Sequence, residues 1–298
     1  MPKRLFHSYQ PTTTVHAHGE DAFSFLQSQS TQDLRLASAN RAVYSLWLNH
    51  KGKVVGDGFV FRENEESLWL ISPFTPEQTL IAHWQKHIIA DEVELETPAC
   101  PWRGIACNAA AMEALTESGF ESELIQTAPG RRAHDAWAEL FFADEESAES
   151  VRQKLLDCGA EELDENAMEQ QRIAAGLARV PIDCGAEDLP AEAGLVEPAV
   201  SFTKGCFLGQ EVVARLHHVG RPRRGLFRLR GDGAVPKTGA PIMAADNETI
   251  VGELRSAVQI DNNHWLGLAL CNFRKMENVT EFLIHGQRVN TIDTSPPQ

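Results

Sequence analysis

Residues 201–215 are the most informative stretch of the chain and read Ser201-Phe202-Thr203-Lys204-Gly205-Cys206-Phe207-Leu208-Gly209-Gln210-Glu211-Val212-Val213-Ala214-Arg215. Gly209 suits a sharp turn, because glycine adopts a positive φ at little cost. A helix is predicted over 210–216, with Glu211 in the first turn, where the helix dipole favours an acid. Cys206 therefore precedes a helix N-terminus and lies two residues after Lys204. Both features favour a thiolate, although spacing alone slightly favours an inert cysteine packed beside Phe207, since most cytosolic cysteines are inert.

The composition is that of a folded protein with two or three domains. The chain has 298 residues, of which 43% are hydrophobic and 23% charged, and this excludes wholesale disorder. Lys+Arg 27 against Asp+Glu 42 gives a net charge of −15, which argues against a general electrostatic grip on DNA. No apolar run has the length of a membrane span or a signal peptide. We therefore expect a soluble, cytoplasmic and monomeric protein.

The hydrophobic pattern changes character twice along the chain. Helices are predicted over 21–34 and 77–89, and the strands between them over 42–48, 54–62 and 67–71. The next segment reads β-α-β-β-α-β, the order of a ferredoxin-like unit. Its predicted strands are 103–107, 124–127, 136–143 and 160–163, and its predicted helices are 109–118 and 144–158.

The last third of the chain reads differently again. A helix over 165–177 precedes an irregular segment, 179–200, that is punctuated by prolines. Beyond residue 225 only strands are predicted, and Gly, Pro, Asn and Asp clusters separate them: 226–230, 250–258, 265–270 and 281–289. This pattern predicts a small β-barrel or sandwich.

The sequence predicts no metal site. The six cysteines (Cys100, Cys107, Cys158, Cys184, Cys206 and Cys271) contain no C-x-x-C pair. His16 and His18 alternate as two ligands on one strand face would, and His217 and His218 are adjacent. The sequence fixes no third ligand for either pair, and histidine on a half-buried strand is common.

Basic residues cluster between positions 204 and 230, where Glu211 is the one acid: Lys204, Arg215, Arg221, Arg223, Arg224, Arg228 and Arg230. A positive field in a chain of net charge −15 indicates an anionic ligand, which could be a carboxylate, a phosphate or RNA. The alternative is that these arginines pair with acids elsewhere in the fold.

The segment from Lys204 to Arg215 resembles the K-G-C-[FY]-x-G-Q-E-x-V-A-R signature of the YgfZ proteins, which are bacterial relatives of a mitochondrial iron–sulfur assembly factor. Two further segments agree in order. Phe25-Leu26-Gln27-Ser28-Gln29-Ser30-Thr31-Gln32-Asp33 resembles the F-L-Q-G-Q-x-T-x-D segment of the family, and Lys51-Gly52-Lys53 resembles its K-G-K turn. The resemblance extends over nearly the whole chain.

This resemblance implies the α+β fold of the aminomethyltransferase (T-protein) of glycine cleavage, with three modules around a channel that holds tetrahydrofolate or a derivative. The modules would be a discontinuous first domain (1–97 with 165–222), a ferredoxin-like βαββαβ insert (98–164) and a small C-terminal β-barrel (223–298). The implied role is folate-dependent assembly or repair of iron–sulfur clusters, which supports radical enzymes, including those that methylthiolate tRNA. The implied partners are folate and iron–sulfur assembly proteins or radical enzymes, and direct tRNA binding stays open.

The resemblance also yields candidate site residues. Cys206 and Lys204 are the catalytic candidates. The candidates for folate binding are Tyr44, Asn49, Lys51, Asp57, Gln210, Glu211 and Arg215. Asp57 would face the pterin on a wall formed by 44–49 and 54–60. Arg215 or a neighbouring arginine would bind the glutamate tail, because guanidinium groups bind carboxylates bidentately.

Two acids of the T-protein pattern are replaced in this chain. The T-protein has G-G-x-x-D-D where this chain has residues 52–57, so that Gly56 replaces the first aspartate. It has R-x-E-x-G at 172–176, where Ala174 replaces the glutamate. The replacements leave enzymatic turnover undecided. Two alternatives remain, a tetrahydrofolate-dependent aminomethyl transferase and a non-enzymatic RNA-binding or scaffold module.

Overall fold

The computed structural model describes residues 2–120, 126–133, 136–246, 248–277, 279 and 281–292. Within them the chain forms two five-stranded sheets and a closed six-stranded barrel. This is the α+β arrangement with a terminal barrel that the sequence predicts. Among the described helices, none combines the length and the apolar character needed to cross a membrane.

Residues 2–97 form the predicted strands and helices, together with three strands that were not predicted, two at the N-terminus and a short one at 94–96. The elements are β1 (Leu5–Tyr9), β2 (Thr13–His18), α1 (Ala22–Gln29), β3 (Val43–Leu48), β4 (Val54–Arg62), β5 (Ser67–Ser72), α2 (Glu77–Gln85) and β6 (Glu94–Glu96). Helix α1 is shorter than the predicted 21–34, because Ser30 is extended and bridges to Trp47. Helix α2 likewise ends before the predicted residue 89.

The central sheet has the strand order β3-β4-β5-β2-β6 and is antiparallel throughout. Strand β4 is buried along almost its whole length, because both faces of the sheet are covered. Phe59 and Phe61 point into one core, whereas Val60 points into the other core with Trp84 of α2 and Leu26 of α1. The sheet is therefore the middle layer of the molecule.

The second sheet contains the predicted ferredoxin-like elements in the predicted order: β7 (Arg103–Asn108), α3 (Ala109–Glu117), β8 (Gln126–Pro129), β9 (Trp137–Phe142), α4 (Glu145–Asp157) and β10 (Glu161–Glu162). The strand predicted at 124–127 is observed from Gln126, and residues 124 and 125 lie outside the described residues. Strand β9 is antiparallel to both β7 and β8, as a split βαβ unit requires.

Strand β1 departs from the predicted division of the chain. The sheet order is β10-β1-β7-β9-β8, so residues 5–9 are inserted between the first and last strands of the ferredoxin-like unit. We propose the same three modules as the sequence implies, except that residues 5–9 belong to the sheet of the insert rather than to 1–97. This pairing was invisible in the sequence because its partners lie about a hundred residues away, for example Phe6 opposite Cys107.

The rest of the chain forms α5 (Glu165–Ala174), α6 (Val196–Ala199), α7 (Gln210–Val219), β11 (Arg224–Asp232), β12 (Pro241–Ala244), β13 (Ile250–Gln259), β14 (His264–Asn272), α8 (Phe273–Met276), β15 (Phe282–Ile284) and β16 (Gln287–Thr291). The strands close into a barrel in the order β11-β14-β13-β12-β15-β16. The single strand predicted at 281–289 is a hairpin, because His285 and Gly286 form its turn with φ of 51° and 76°.

Two glycines from different motifs pack against each other and join α7 to the turn between β3 and β4. Gly209, with φ +81°, precedes α7, and a Cβ there would lie 2.6 Å from the carbonyl oxygen of Asn49. Gly52, with φ +70°, lies in the turn, and a Cβ there would lie 2.9 Å from Cβ of Val212. The K-G-K turn and the start of α7 can therefore approach this closely only because both positions are glycine.

We predict that Gly209→Ala lowers the free energy of unfolding by about 2–5 kcal/mol, because it adds a steric clash to the cost of a left-handed alanine. Chemical denaturation of the full chain measures this change. The matched control is Gly239→Ala, since Gly239 has φ +86° but no atom within 4 Å of the added Cβ. The control should lose only about 1–2 kcal/mol. Equal losses in the two variants would contradict the close packing at Gly209.

Candidate functional site

Lys204 is buried, with 8% of its surface exposed, and its ammonium group binds the end of α1. The Nζ atom donates hydrogen bonds to the carbonyl oxygens of Gln27 (2.5 Å), Gln32 (3.0 Å) and Ser30. The last carbonyls of a helix have no partner within the helix, and a cation there also complements the helix dipole. Burial lowers the pKa of Lys204 to about 8. Lys204 therefore ties the loop that carries it to the C-terminus of α1.

Backbone hydrogen bonds attach the same loop to α1 on both sides of Lys204. The amide of Ser201 donates to the carbonyl of Thr31 (3.0 Å), and the amide of Leu208 donates to the carbonyl of Ser28 (3.1 Å). The hydroxyl of Thr31 donates to the carbonyl of Ala199 (2.6 Å). Two of the motifs quoted from the sequence, at 25–33 and 204–215, thus form one tethered unit.

Cys206 is exposed, although Lys204 before it and Phe207 after it are buried. Gly205 has φ +109°, and this turn brings the chain to the surface between Lys204 and Phe207. Phe207 is 7% exposed and packs in the central core with Val213 of α7. The alternative of a cysteine buried beside Phe207 is therefore wrong. The thiol is presented to solvent a few residues before α7, on a loop fixed at both ends.

The hydrogen bonds of the Lys204 ammonium group go to the backbone and not to the thiol of Cys206. A lysine ammonium has three hydrogen-bond donors, and three backbone carbonyls accept from this one. Among the described residues, no hydrogen bond joins Nζ of Lys204 to Sγ of Cys206. The structure therefore gives Lys204 the role of an anchor for the loop.

The other thiols divide by exposure. Burial raises the pKa of Cys107 and of Cys271 to about 12, and burial also raises the pKa of Cys184. Cys158 is half-buried and its thiol contacts the carbonyl of Ala114 at 3.6 Å. Cys100 is exposed, as Cys206 is, but it lies in the segment that enters the insert.

Asp57 is buried in the central sheet and its carboxylate is occupied by hydroxyl groups. Tyr44 donates to Oδ2 (2.7 Å), and Thr75 (2.8 Å) and Ser72 (3.4 Å) donate to Oδ1. Burial raises the pKa of Asp57, and the Tyr44 hydrogen bond opposes this shift. Both carboxylate oxygens of Asp57 thus already accept hydrogen bonds from side chains of the protein.

Tyr44 instead lines a cavity of about 330 Å³, here called the junction cavity, between strand β3 of the central sheet and the turn that follows β8 of the second sheet. The lining residues are Gln32, Leu36, Arg41, Ala42, Val43, Tyr44, Pro129, Arg131 and Pro198. The guanidinium of Arg131 lies over the Tyr44 ring, 5.0 Å from its centroid. The cavity therefore combines an aromatic ring with two cations, Arg41 and Arg131. Reasoning from the sequence missed Arg131, although it follows directly on the Pro129-Gly130 turn.

The remaining candidates for folate binding lie near the contact between Gly52 and Gly209. Asn49 organises the turn, because its Oδ1 accepts from the amides of Lys51 (2.9 Å) and Lys53 (3.1 Å). Lys51, Glu211 and Arg215 are exposed and Gln210 is half-buried: the structure brings the turn and the start of α7 together. It shows no contact between Asp57, which is buried, and Arg215, which is exposed, among the described residues.

The six arginines of the basic cluster of 204–230 separate into two sets. Arg224 pairs with Glu192 (2.7 Å) and Asp188 (3.0 Å), and Arg228 donates to the carbonyl of Ala174 (2.6 Å). These arginines hold the barrel to the irregular segment and to α5. The exposed set is Arg215, Arg221, Arg223 and Arg230. The alternative interpretation, pairing within the fold, is therefore correct for Arg224 and Arg228, and an anionic ligand stays a prediction for the exposed set.

We predict that Lys204→Met lowers the free energy of unfolding by about 2–3 kcal/mol, because methionine keeps the aliphatic packing but leaves buried carbonyls unpaired. Denaturant titration of wild type and variant at neutral pH gives the difference. Lys237→Met serves as the control, since Lys237 is exposed and should change stability by less than about 0.5 kcal/mol. A loss in Lys204→Met no larger than in the control would contradict the anchoring role.

The chain is similar to known proteins over most of its length. The family described as the GCVT N-terminal domain matches residues 9–120. The mitochondrial iron-sulfur cluster assembly factor IBA57 of Mus musculus is 28% identical over 277 residues, which are 86% of this chain and 74% of the relative. The tRNA-modifying protein YgfZ of Yersinia pestis (strain Pestoides F) is 27% identical over 273 residues, which are 85% of this chain and 80% of the relative.

The structural comparison agrees with this similarity. The crystal structure of the glycine cleavage system aminomethyltransferase T from Bartonella henselae superposes with a TM-score of 0.76 at 18% sequence identity, covering 99% of this chain and 86% of the other. At this identity the match establishes the fold, and it confirms the predicted T-protein-like architecture. The predicted resemblance is confirmed as well: the chain is similar to the YgfZ and IBA57 proteins along most of its length.

Proposed function

We propose that the protein is a folate-binding accessory factor for the assembly or repair of iron–sulfur clusters, and that Cys206 is its working thiol. It would support iron–sulfur radical enzymes, including those that methylthiolate tRNA. The names of the relatives, an iron–sulfur assembly factor and a tRNA-modifying protein, support this role. The proposal keeps the cytoplasmic location and the monomeric state expected from the sequence.

One observation carries the proposal for the thiol: Cys206 is exposed while Lys204 and Phe207, on either side of it, are buried. A cysteine with a purely structural role gains nothing from exposure, since a thiol stabilises a fold by packing. A thiol that must reach a partner protein or a cluster needs both exposure and a fixed position. In this proposal Lys204 positions the loop, and Cys206 is the group that reacts or binds.

The junction cavity suits one end of a folate. Its volume of about 330 Å³ lies within the range of small-molecule sites. Arg41 and Arg131 would bind the carboxylates of the glutamate tail, and the largely buried ring of Tyr44 forms part of the cavity wall. Asp57 is a weaker candidate for the pterin, because three hydroxyl groups already donate to its two oxygens. We therefore propose Tyr44, Arg41 and Arg131 as the folate contacts, and Arg215 stays the alternative for the tail.

Aminomethyl transfer is not favoured by the residues that replace the T-protein acids. A Cβ at Gly56 would lie 2.6 Å from Leu80 and 2.7 Å from Thr75, so the position has no room for an aspartate side chain as the fold stands. Ala174 ends α5 and contributes a carbonyl to Arg228. A carboxylate that could orient a methylene-folate is therefore missing at both positions.

A second candidate function rests on the exposed arginines. Arg215 lies on α7, and Arg221 and Arg223 follow its C-terminus; all three are exposed. Such a set can bind the phosphates of RNA, so the protein could act as an RNA-binding scaffold in which Cys206 has no part.

We predict that Cys206→Ser separates folate binding from activity in the cell. The purified variant should bind tetrahydrofolate as wild type does, because Cys206 lies outside the junction cavity. In a bacterial strain that lacks its own related protein, it should fail to restore tRNA methylthiolation, because a serine hydroxyl replaces neither a thiolate nucleophile nor a soft metal ligand. Arg131→Ala should weaken tetrahydrofolate binding by at least about tenfold, because the carboxylate loses its cation.

Cys100→Ser is the matched control, since it removes the other exposed thiol and should restore methylthiolation fully. Full restoration by Cys206→Ser would contradict the thiol proposal. If an Arg221→Ala/Arg223→Ala variant then failed, the RNA-binding scaffold would be favoured. If Arg215→Ala weakens folate binding and Arg131→Ala does not, the glutamate tail binds at α7 and not in the junction cavity.

A further inference from the structure

Two histidines and two glutamates face one another on the edge of the central sheet, away from Cys206 and from the junction cavity. His16 and His18 lie on one face of β2, because alternate residues of a strand share a face. Strand β6 pairs with β2 so that His16 is opposite Glu96 and His18 is opposite Glu94. The strand pairing thus supplies the third ligand that the sequence could not fix for the His16–His18 pair.

The separations of the ligand atoms suit a small cation. One ligand atom each from His16, His18 and Glu96 can be chosen so that all lie within 4.8 Å of one another. Nε2 of His18 is 3.4 Å from Oε2 of Glu96 and 4.0 Å from Oε2 of Glu94. Around a tetrahedral zinc ion with ligand distances of about 2.0–2.1 Å, neighbouring ligand atoms lie about 3.3 Å apart.

Nε2 of His18 gives an independent indication. It is shielded from solvent, and it has no hydrogen-bond partner among the described residues. Its contact with Glu96 falls within ion-pair distance but lacks the geometry of a hydrogen bond. Buried polar atoms in native proteins normally have a partner, and an unpaired one calls for an ion or a water. A cation between the two side chains would provide that partner.

The surroundings of His16 resemble the outer shell of a metal-binding histidine. Ser67 donates its hydroxyl proton to Glu63 (2.7 Å), so its oxygen accepts from Nε2–H of His16 (2.8 Å). This arrangement leaves the lone pair on Nδ1 of His16. The ring stacks on Trp69, with centroids 4.4 Å apart, and the indole also donates to Glu63 (3.2 Å). Such a hydrogen-bonded carboxylate relay fixes the orientation and tautomer of ligating histidines in metal sites.

We propose that His16, His18 and Glu96 form a binding site for a divalent transition-metal ion of the zinc class. Glu94 or a water molecule completes a tetrahedral set. Imidazole and carboxylate ligands in this number suit Zn²⁺, whereas Ca²⁺ and Mg²⁺ require six or more oxygen ligands. The ion ties the short edge strand β6 to β2, immediately before the chain enters the ferredoxin-like insert.

The test is a Co²⁺ titration followed by visible absorption, with a parallel Zn²⁺ titration by calorimetry. Because Cys100 and Cys206 are exposed thiols that also bind these metals, both are replaced by serine in every protein used. The proposal predicts one ion per chain, the intense absorption of tetrahedral Co²⁺, and a higher unfolding temperature when Zn²⁺ is present. Binding should weaken in acid, since protons compete with the metal ion for its ligands.

Glu96→Gln and His16→Gln should each weaken Zn²⁺ binding by at least about tenfold and abolish the Zn²⁺-dependent rise in unfolding temperature. Glu96 is 63% exposed, so its variant should remain folded even if His16→Gln does not. The matched control is His217→Gln/His218→Gln, which removes the other histidine pair and should bind as the parent does. The proposal is overturned if the parent binds no ion at micromolar concentration, or if only the control loses binding.

Discussion

The candidate site depends on the buried ammonium group of Lys204, which binds the carbonyl oxygens of Gln27, Ser30 and Gln32 at and just beyond the end of α1. The ammonium group satisfies a helix terminus that would otherwise leave carbonyls without partners in the interior. The same interaction holds the loop of 201–208 against α1 and the residues that follow it, and backbone hydrogen bonds stabilise this contact further. The position of Cys206 follows, since Gly205 turns outward between Lys204 and the buried Phe207.

The surroundings of Cys206 are therefore assembled from segments that are far apart in sequence. Residues 25–33 bind the loop that carries Lys204, and the turn at Gly52 packs against Gly209 at the start of α7. The central sheet supplies the common platform, because each of its faces is covered by a separate core. A thiol on such an assembly has a fixed position relative to the sheet, although it lies on an irregular loop.

Local hydrophobic patterns predicted most of the helices and strands. The features that were not predicted depend on the pairing of strands that are far apart in sequence. The ferredoxin-like order of 103–163 was correct because each element has its own periodicity. The insertion of β1 was not predicted, since a five-residue strand carries no sign of which strands will flank it. At the site, the turn at Gly209 and the motif around Cys206 could be recognised from the order of residues alone. The hydrogen bonds from Tyr44, Ser72 and Thr75 to Asp57 could not, because they form only when the folded sheet buries these side chains together.

The presentation of Cys206 by the anchored loop is best tested by the alkylation rate of each cysteine in the folded protein, measured by mass spectrometry at neutral pH. We expect Cys206 to label faster than the half-buried Cys158 and far faster than the buried Cys107, Cys184 and Cys271. Labelling of Cys206 at a rate no greater than that of Cys107 or Cys158 would contradict the claim that the anchored loop presents a working thiol.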